Sequence, residues 1–287
     1  MMSKGLKEHI ESLLGLKISS VMSVSGGDIS QALKISTSAD QFFCKYQAGE
    51  EGYAILKAEK VGLAALAGSG KIKTPEVIGL SKTEDGAFLL LEYIESKSKG
   101  EKEMIAFGSQ LAELHQVMAE TYGWETENYI GSLLQKNTRM GGWPGFYTYC
   151  RLLPQLELAK RAGLLSEREV PLADRLESRL GEICSASKPS LVHGDLWGGN
   201  YLISEDGTPF LIDPSVSYSH PGMDLAMSKL FGGFSASFYE AYQEASRVSF
   251  PTPEEIEVYQ LYYLLVHLNI FGVSYASSVR SIMKRYF

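Results

Sequence analysis

A chain of 287 residues with 45% hydrophobic and 21% charged residues has the material for one large globular domain or two modest ones, which excludes a disordered or fibrous polymer. Its 27 Lys and Arg against 34 Asp and Glu leave a net charge of −7, so there is no basic excess to neutralise a phosphate backbone and no nucleic-acid partner is expected. Apolar runs such as residues 88–91 fall far short of the about 20 residues that cross a bilayer, and three scattered cysteines (Cys44, Cys150, Cys184) make neither a disulfide frame nor a zinc site, so a reduced, cytoplasmic protein without membrane association is expected. The N-terminus enters a helical pattern without the apolar core of a secretory signal.

Leu6, Ile10, Leu13 and Leu14 fall at helical spacing and predict an opening amphipathic helix. Residues 17–24 read as a strand, Gly26-Gly27-Asp28 as a sharp loop, 31–36 as the returning strand and 41–46 as a third. A helix over 50–67 ends at Gly68-Ser69-Gly70, a cap that lacks the first Gly of a phosphate loop. Strands at 76–81 and 87–94 flank an Asp85-Gly86 turn. Five antiparallel strands interrupted by one helix make a small α+β lobe. After the polar stretch 95–103, helices are expected at 103–120, 143–163, 166–186, 223–245 and 254–284, broken by a short hairpin, 201–203 with 209–212.

That hairpin is flanked by chemistry. His193-Gly194-Asp195-Leu196-Trp197-Gly198-Gly199-Asn200 precedes it and Ile212-Asp213-Pro214 follows it. A loop carboxylate, an Asn five residues on and a second carboxylate after a hairpin match the spacing of the protein-kinase catalytic loop and its metal-binding Asp. A phosphoryl acceptor hydroxyl needs a carboxylate to orient it and take its proton, a role for Asp195, while Mg²⁺ on nucleotide phosphates needs hard oxygen ligands, a role for Asn200 and Asp213. Taken singly, Asp and Asn are also ordinary turn residues.

The early lobe supplies the rest of such a site. Lys45 ends a strand of Phe and Tyr neighbours, from which it can reach the α/β-phosphates of ATP. Glu59 can pair with it, although the flanking Lys57 and Lys60 also fit a charged helix surface. Gly26, Gly27, Asp28, Ile29 and Ser30 form a loop whose backbone N–H groups can approach phosphates, or an ordinary hairpin turn. His193 is expected to brace the catalytic loop, and His115 and His267 to be core or hydrogen-bonding residues. Trp197 is a large side chain with no evident packing duty in a catalytic loop; an indole there can cover a sugar face or a protonated amine.

At these residues the chain resembles the fructosamine-3-kinase (ketosamine kinase) family of the protein-kinase-like superfamily, related to aminoglycoside and choline kinases. The resemblance takes in Phe42-Phe43-Cys44-Lys45, Gln135-Lys136-Asn137, Arg151-Leu152, Leu196-Trp197-Gly198-Gly199-Asn200, Asp224-Leu225-Ala226-Met227 and Phe231-Gly232-Gly233-Phe234. It implies a bilobal α+β fold, with residues 1–95 clamping nucleotide and 96–287 forming a mainly helical catalytic and substrate-binding lobe. It implies ATP and Mg²⁺ as cofactors, a hinge at Glu92, Tyr93 and Ile94 that meets adenine, and phosphorylation of the 3-hydroxyl of ketosamines, free or on proteins, leading to deglycation. A small-molecule kinase for an aminoglycoside or amino alcohol, and an inactive kinase-fold binding module, are the other readings. Two departures from the family pattern stand at Gly222, usually acidic, and Glu255, near a usual Arg. Gly194 replaces the Arg of protein kinases, so no switch by activation-loop phosphorylation is expected.

Overall fold

The computed structural model describes residues 2–24 and 31–287. In chain order the elements begin α1 (Lys4–Leu14), β1 (Ile18–Ser23), β2 (Gln31–Thr37), β3 (Gln41–Ala48), α2 (Gly52–Gly68), β4 (Val77–Thr83), β5 (Gly86–Glu92), α3 (Glu101–Leu114), β6 (Asn128–Ile130) and β7 (Leu133–Gln135). They continue with α4 (Trp143–Tyr147), α5 (Leu153–Arg161), α6 (Ala173–Ile183), β8 (Ser190–Val192), β9 (Tyr201–Ile203), β10 (Pro209–Leu211), β11 (Ser217–Ser219), α7 (Gly222–Leu230), α8 (Ala236–Ala245), α9 (Pro253–Phe271) and α10 (Ala276–Tyr286). They form two units: Met1–Glu103 with Gly199–Pro214, and Met104–Gly198 with Ser215–Phe287.

The first unit is an antiparallel sheet in the order β1-β2-β3-β5-β4. The apolar run of β5 is continuous because both faces of the sheet are covered, and successive side chains alternate between two cores. Phe88 and Leu90 join Leu6, Ile10, Leu33, Phe42 and Cys44 on the α1 side. Ala87, Leu89 and Leu91 join Leu56 and Leu63 on the α2 side. Lys45 pairs with Leu89 across β3 and β5, next to Cys44, so strand parity puts it on the α2 face. The Ser3 hydroxyl caps α1 by accepting from Leu6 N–H, and Gly15 ends it at φ 65°. The β9–β10 hairpin joins this unit through backbone bonds: Lys97 N–H to Ile203 O and Leu211 N–H to Lys73 O, each 2.9 Å.

The second unit is built around α9, whose sequence is apolar on all sides and which is buried along most of its length. Thr252 and Glu255 make a reciprocal capping box at its start, so Glu255 has a local duty in helix initiation. The long predicted helices are broken for local reasons. Gly232 (φ 72°) and Gly233 (φ 98°) separate α7 from α8, and Gly272 (φ 88°) separates α9 from α10. A helical turn at Glu167–Glu169 precedes α6, which begins only after Pro171. Between α4 and α5, residues Thr148–Leu152 make one π turn; Pro154 removes the N–H that would otherwise return to Cys150 O. The pairs β6–β7 and β8–β11 are three-residue strands, too short to show an alternation in sequence. Among the described residues no helix is long and apolar enough to cross a membrane.

Candidate active site

In the first unit the chemistry gathers around one buried ammonium. Lys45 is 7% exposed, and its Nζ lies 2.8 Å from Glu59 Oε1 while also forming an ion pair with Asp213 Oδ1. Glu59 faces inward because Leu56 and Leu63, three residues before and four after it, hold that face of α2 against the sheet. One turn beyond Glu59, Gly62 is required for close approach: a Cβ there would stand 2.9 Å from Pro214 Cγ, so the helix rests on the residue following Asp213. Asp213 has φ 56°, the only positive φ outside glycine among the described residues. Such a left-handed residue costs roughly 1–2 kcal/mol, least for a short side chain like Asp, and it is fixed here by Ile212 N–H donating to Asn200 O at 3.1 Å. Asn200 itself is 4% exposed.

The residues expected at the hinge, Glu92, Tyr93 and Ile94, belong to the same unit. Glu92 Oε2 accepts from Glu76 N–H at 3.1 Å, so its side chain stitches β5 to the start of β4. Lys34 Nζ lies 3.9 Å over the Tyr93 ring, and Ile94 is buried. Gly26, Gly27, Asp28, Ile29 and Ser30 lie outside the described residues.

In the second unit the loop expected to be catalytic, residues 193–198, hangs on a carboxylate. Asp224, fully buried in α7, accepts from His193 N–H at 2.7 Å and Gly194 N–H at 2.8 Å. Its Oδ2 also lies 3.1 Å from His115 Nε2, and His115 Nδ1 lies 2.8 Å from Tyr242 OH. Burial pushes the Asp224 carboxyl up, but the hydrogen bond and charge of His115, the charge of His193 and the Gly194 N–H outweigh it and leave the group below its ordinary value. Gly194 stands at φ 86° with Ser215 O packed where a side chain would begin, so neither Arg nor any other L-residue fits. Tyr263 OH donates to Gly194 O at 3.1 Å, and the fully buried His193 accepts from Asp195 N–H on Nδ1 at 3.2 Å. These bonds aim Asp195.

Trp197 follows with its N–H on Asp195 O at 3.2 Å and its indole 38% exposed, which is not the state of a core residue. Gly198 lies flat against the Gly232–Gly233 corner, where a Cβ would come within 3.3 Å of Gly232 O. Gly222 is explained by space: a Cβ would meet Tyr259 Cε2 at 2.6 Å and His220 Nδ1 at 2.9 Å, so an acidic side chain has no room. Asp224 and Tyr263 were not foreseen as supports of the loop. The available signal was a carboxylate inside an otherwise apolar helix, which in a buried setting must have donors around it.

Comparison with known proteins fits this layout. A family model described as fructosamine kinase matches residues 2–287. An Enterococcus faecium protein named "Probable ketoamine kinase" is 37% identical over 269 residues, covering 93% of this chain and 95% of its own. The chloroplastic protein-ribulosamine 3-kinase of Oryza sativa subsp. indica is 34% identical, covering 94% of this chain and 79% of its own. A crystal structure from Haemophilus somnus 129PT named "Putative fructosamine-3-kinase" superposes with TM-score 0.88 at 25% identity over 99% of this chain and 97% of its own. A choline kinase from Streptococcus pneumoniae, 21% identical with TM-score 0.60 over 98% of each chain, shares the fold alone. A match that runs from end to end, on a protein-kinase-like fold that carries the Lys–Glu pair and the loop Asp, makes this chain a member of the fructosamine kinase family and an ATP-using kinase.

Proposed function

We propose that this protein transfers the γ-phosphoryl group of ATP to the 3-hydroxyl of a ketosamine, the product of a sugar and an amine, borne by a small molecule or by a protein. The observation that carries the reading is the full-length family match with Lys45 still paired to Glu59 and Asp213, a charge arrangement a binding module has no need to keep. Lys45 positions the nucleotide phosphates, and Glu59 holds Lys45. Asp195 orients the acceptor hydroxyl and takes its proton as the new O–P bond forms and the bond to ADP breaks.

Among the described residues there is no cluster of three or more His, Cys, Asp or Glu that would hold a metal unaided. The carboxylate of Asp213 and the amide oxygen of Asn200 are hard donors of the kind that would hold Mg²⁺ together with the nucleotide's own oxygens, where it would neutralise phosphate charge. A phosphate on the carbon beside the ketosamine carbonyl is labile, and its loss with the sugar frees the amine, so the role is deglycation, acting on cytoplasmic amines.

ATP consumption measured side by side with fructoselysine, ribuloselysine, choline and an aminoglycoside tests the reading. ADP release with the ketosamines alone is expected, with the 3-phosphate visible by phosphorus NMR. Turnover confined to choline or the aminoglycoside overturns the substrate class, and ATP consumption with none of them favours a binding module. In the same assay Asp195→Asn is expected to lose roughly 10²-fold or more in kcat while still binding ATP.

A further inference from the structure

Arg151 is 2% exposed, and among the described residues it makes no ion pair with a carboxylate. Its partners are neutral. Nη1 donates to Lys136 O and, at 3.0 Å, to Cys150 O, the carbonyl left open by Pro154 in the π turn; Nη2 donates to Asn137 Oδ1 at 3.0 Å and Ser217 Oγ at 3.1 Å. Its guanidinium carbon lies 4.7 Å from the Phe146 ring centroid and 5.7 Å from that of Tyr262. Burying a cation among neutral groups is costly where an apolar side chain would serve. The gain must lie in what the guanidinium does to its neighbours.

A guanidinium only donates, so each group it meets is fixed as an acceptor. With Oδ1 held by Arg151, Asn137 must donate from Nδ2, and it does so to Asn128 Oδ1 at 2.7 Å and Thr126 O at 3.1 Å. Asn128 Oδ1 also accepts from Gln135 Nε2 at 2.8 Å, which leaves Asn128 Nδ2 to donate to Val216 O at 2.8 Å. Gln135 Nε2 reaches Ser215 O at 3.3 Å as well, and Gln135 Oε1 accepts from Tyr262 OH at 2.7 Å. Every amide therefore has one permitted orientation, and the chain of bonds ends on Ser215, Val216 and Ser217. That segment bears on the catalytic loop: Ser215 N–H donates to His193 O at 2.9 Å, and Ser215 O fills the space beside Gly194.

We propose that Arg151 is a positioning residue for phosphoryl transfer. Its fork sets the donor and acceptor sense of the chain Asn137–Asn128–Gln135, and that chain fixes residues 215–217 behind the loop that aims Asp195. The proposal rests on the kinase reaction given above and adds to it a charged residue outside the phosphoryl-transfer set.

Asn137→Asp separates this role from simple packing. It gives Arg151 a better partner, yet it removes the donor to Asn128 Oδ1, forcing that amide to turn over and strip Val216 O of its bond. The expected result is a Tm close to wild type, KM values for ATP and acceptor little changed, and kcat lowered roughly 10- to 100-fold, the scale of a small misplacement of reacting groups. Arg151→Lys, which keeps the charge and loses the fork, is expected to show the same kcat defect when assayed well below its Tm. Full kcat in either folded variant overturns the proposal, and if Asn137→Asp does not fold, Arg151→Lys decides alone. The wild type is run in parallel on every acceptor of the panel and on ATP hydrolysis. Failure of the ketosamine reading appears there as turnover on another acceptor, whereas failure of this proposal appears only as variants matching wild type.

Discussion

Trp197 lies two residues beyond Asp195 and is 38% exposed. A ring placed so offers a sugar its apolar face and a protonated amine a cation–π contact of roughly 0.5–2 kcal/mol, which corresponds to about 2- to 30-fold in binding. Trp197→Ala is therefore expected to raise the acceptor KM by that factor, leave the ATP KM unchanged and leave the Tm nearly unchanged. Both Michaelis constants and a melting curve check it; a lowered Tm with unaltered acceptor KM would make the indole scaffold. At this scale the residues proposed to carry reaction chemistry, Lys45, Asp195, Asn200 and Asp213, stand out by their types and offsets. The residues that hold them do not. Asp224 reaches Gly194 across 30 residues, Tyr263 reaches the same glycine across 69, and Arg151 reaches Ser217 across 66. No local pattern records contacts at such separations.

Helix α2 shows how an element carries a site. Its interior glycine, Gly62, costs roughly 1 kcal/mol of helix propensity relative to Ala, yet it lets the turn after Glu59 lie against Pro214. Gly62→Ala should gain that propensity and lose the close approach, because the proline ring behind Asp213 cannot yield as a flexible side chain would. We expect kcat to fall several-fold, with an ATP KM rise if Lys45 loses alignment with Glu59; unchanged kinetics together with a higher Tm would show that the approach is unimportant. The strands and helix of this unit were legible because the turn residues and the lengths of the runs between them agreed. The helical region was less so. Gly232, Gly233 and Gly272 adopt positive φ and break what hydropathy reads as continuous helices, and glycine in a sequence does not announce which sign of φ it will take.

Across the whole molecule, stability should depend on acid through His220. Burial drives its imidazole down to about 4, with Gly222 N–H donating to Nδ1 at 3.0 Å. The folded value is below the ordinary one of 6.5, so the neutral ring's contribution is fully present above pH 6.5 and is lost as pH falls from there toward 4. The size is on the order of 3 kcal/mol. Asp224, also lowered in the folded state, adds its own loss only at still lower pH, below the ordinary carboxylate range. Urea midpoints at pH 7.5 and 4.5 should differ for the wild type and differ much less for His220→Gln. Equal differences in the two proteins would assign the acid sensitivity elsewhere.

The return of residues 199–214 to the first unit has a meaning for the order in which the protein is made. During synthesis the sheet emerges early, but Ile203, Leu211 and Asp213, partners of Lys97, Lys73 and Lys45, are still unmade. At about 5–20 residues per second the ribosome needs roughly 5–20 s to supply them, and a nascent sheet must wait that long with Lys45 half satisfied and the backbone groups of Lys73 and Lys97, in the segments flanking β4 and β5, unpaired with the hairpin. A fragment ending at residue 103 is that waiting state made permanent. It should be cut readily by protease, and protection equal to that of the whole chain would mean that the sheet completes itself without the hairpin. Birth order thus makes the full ion pairing of Lys45 wait on Asp213, a residue made long after the strand that carries the lysine.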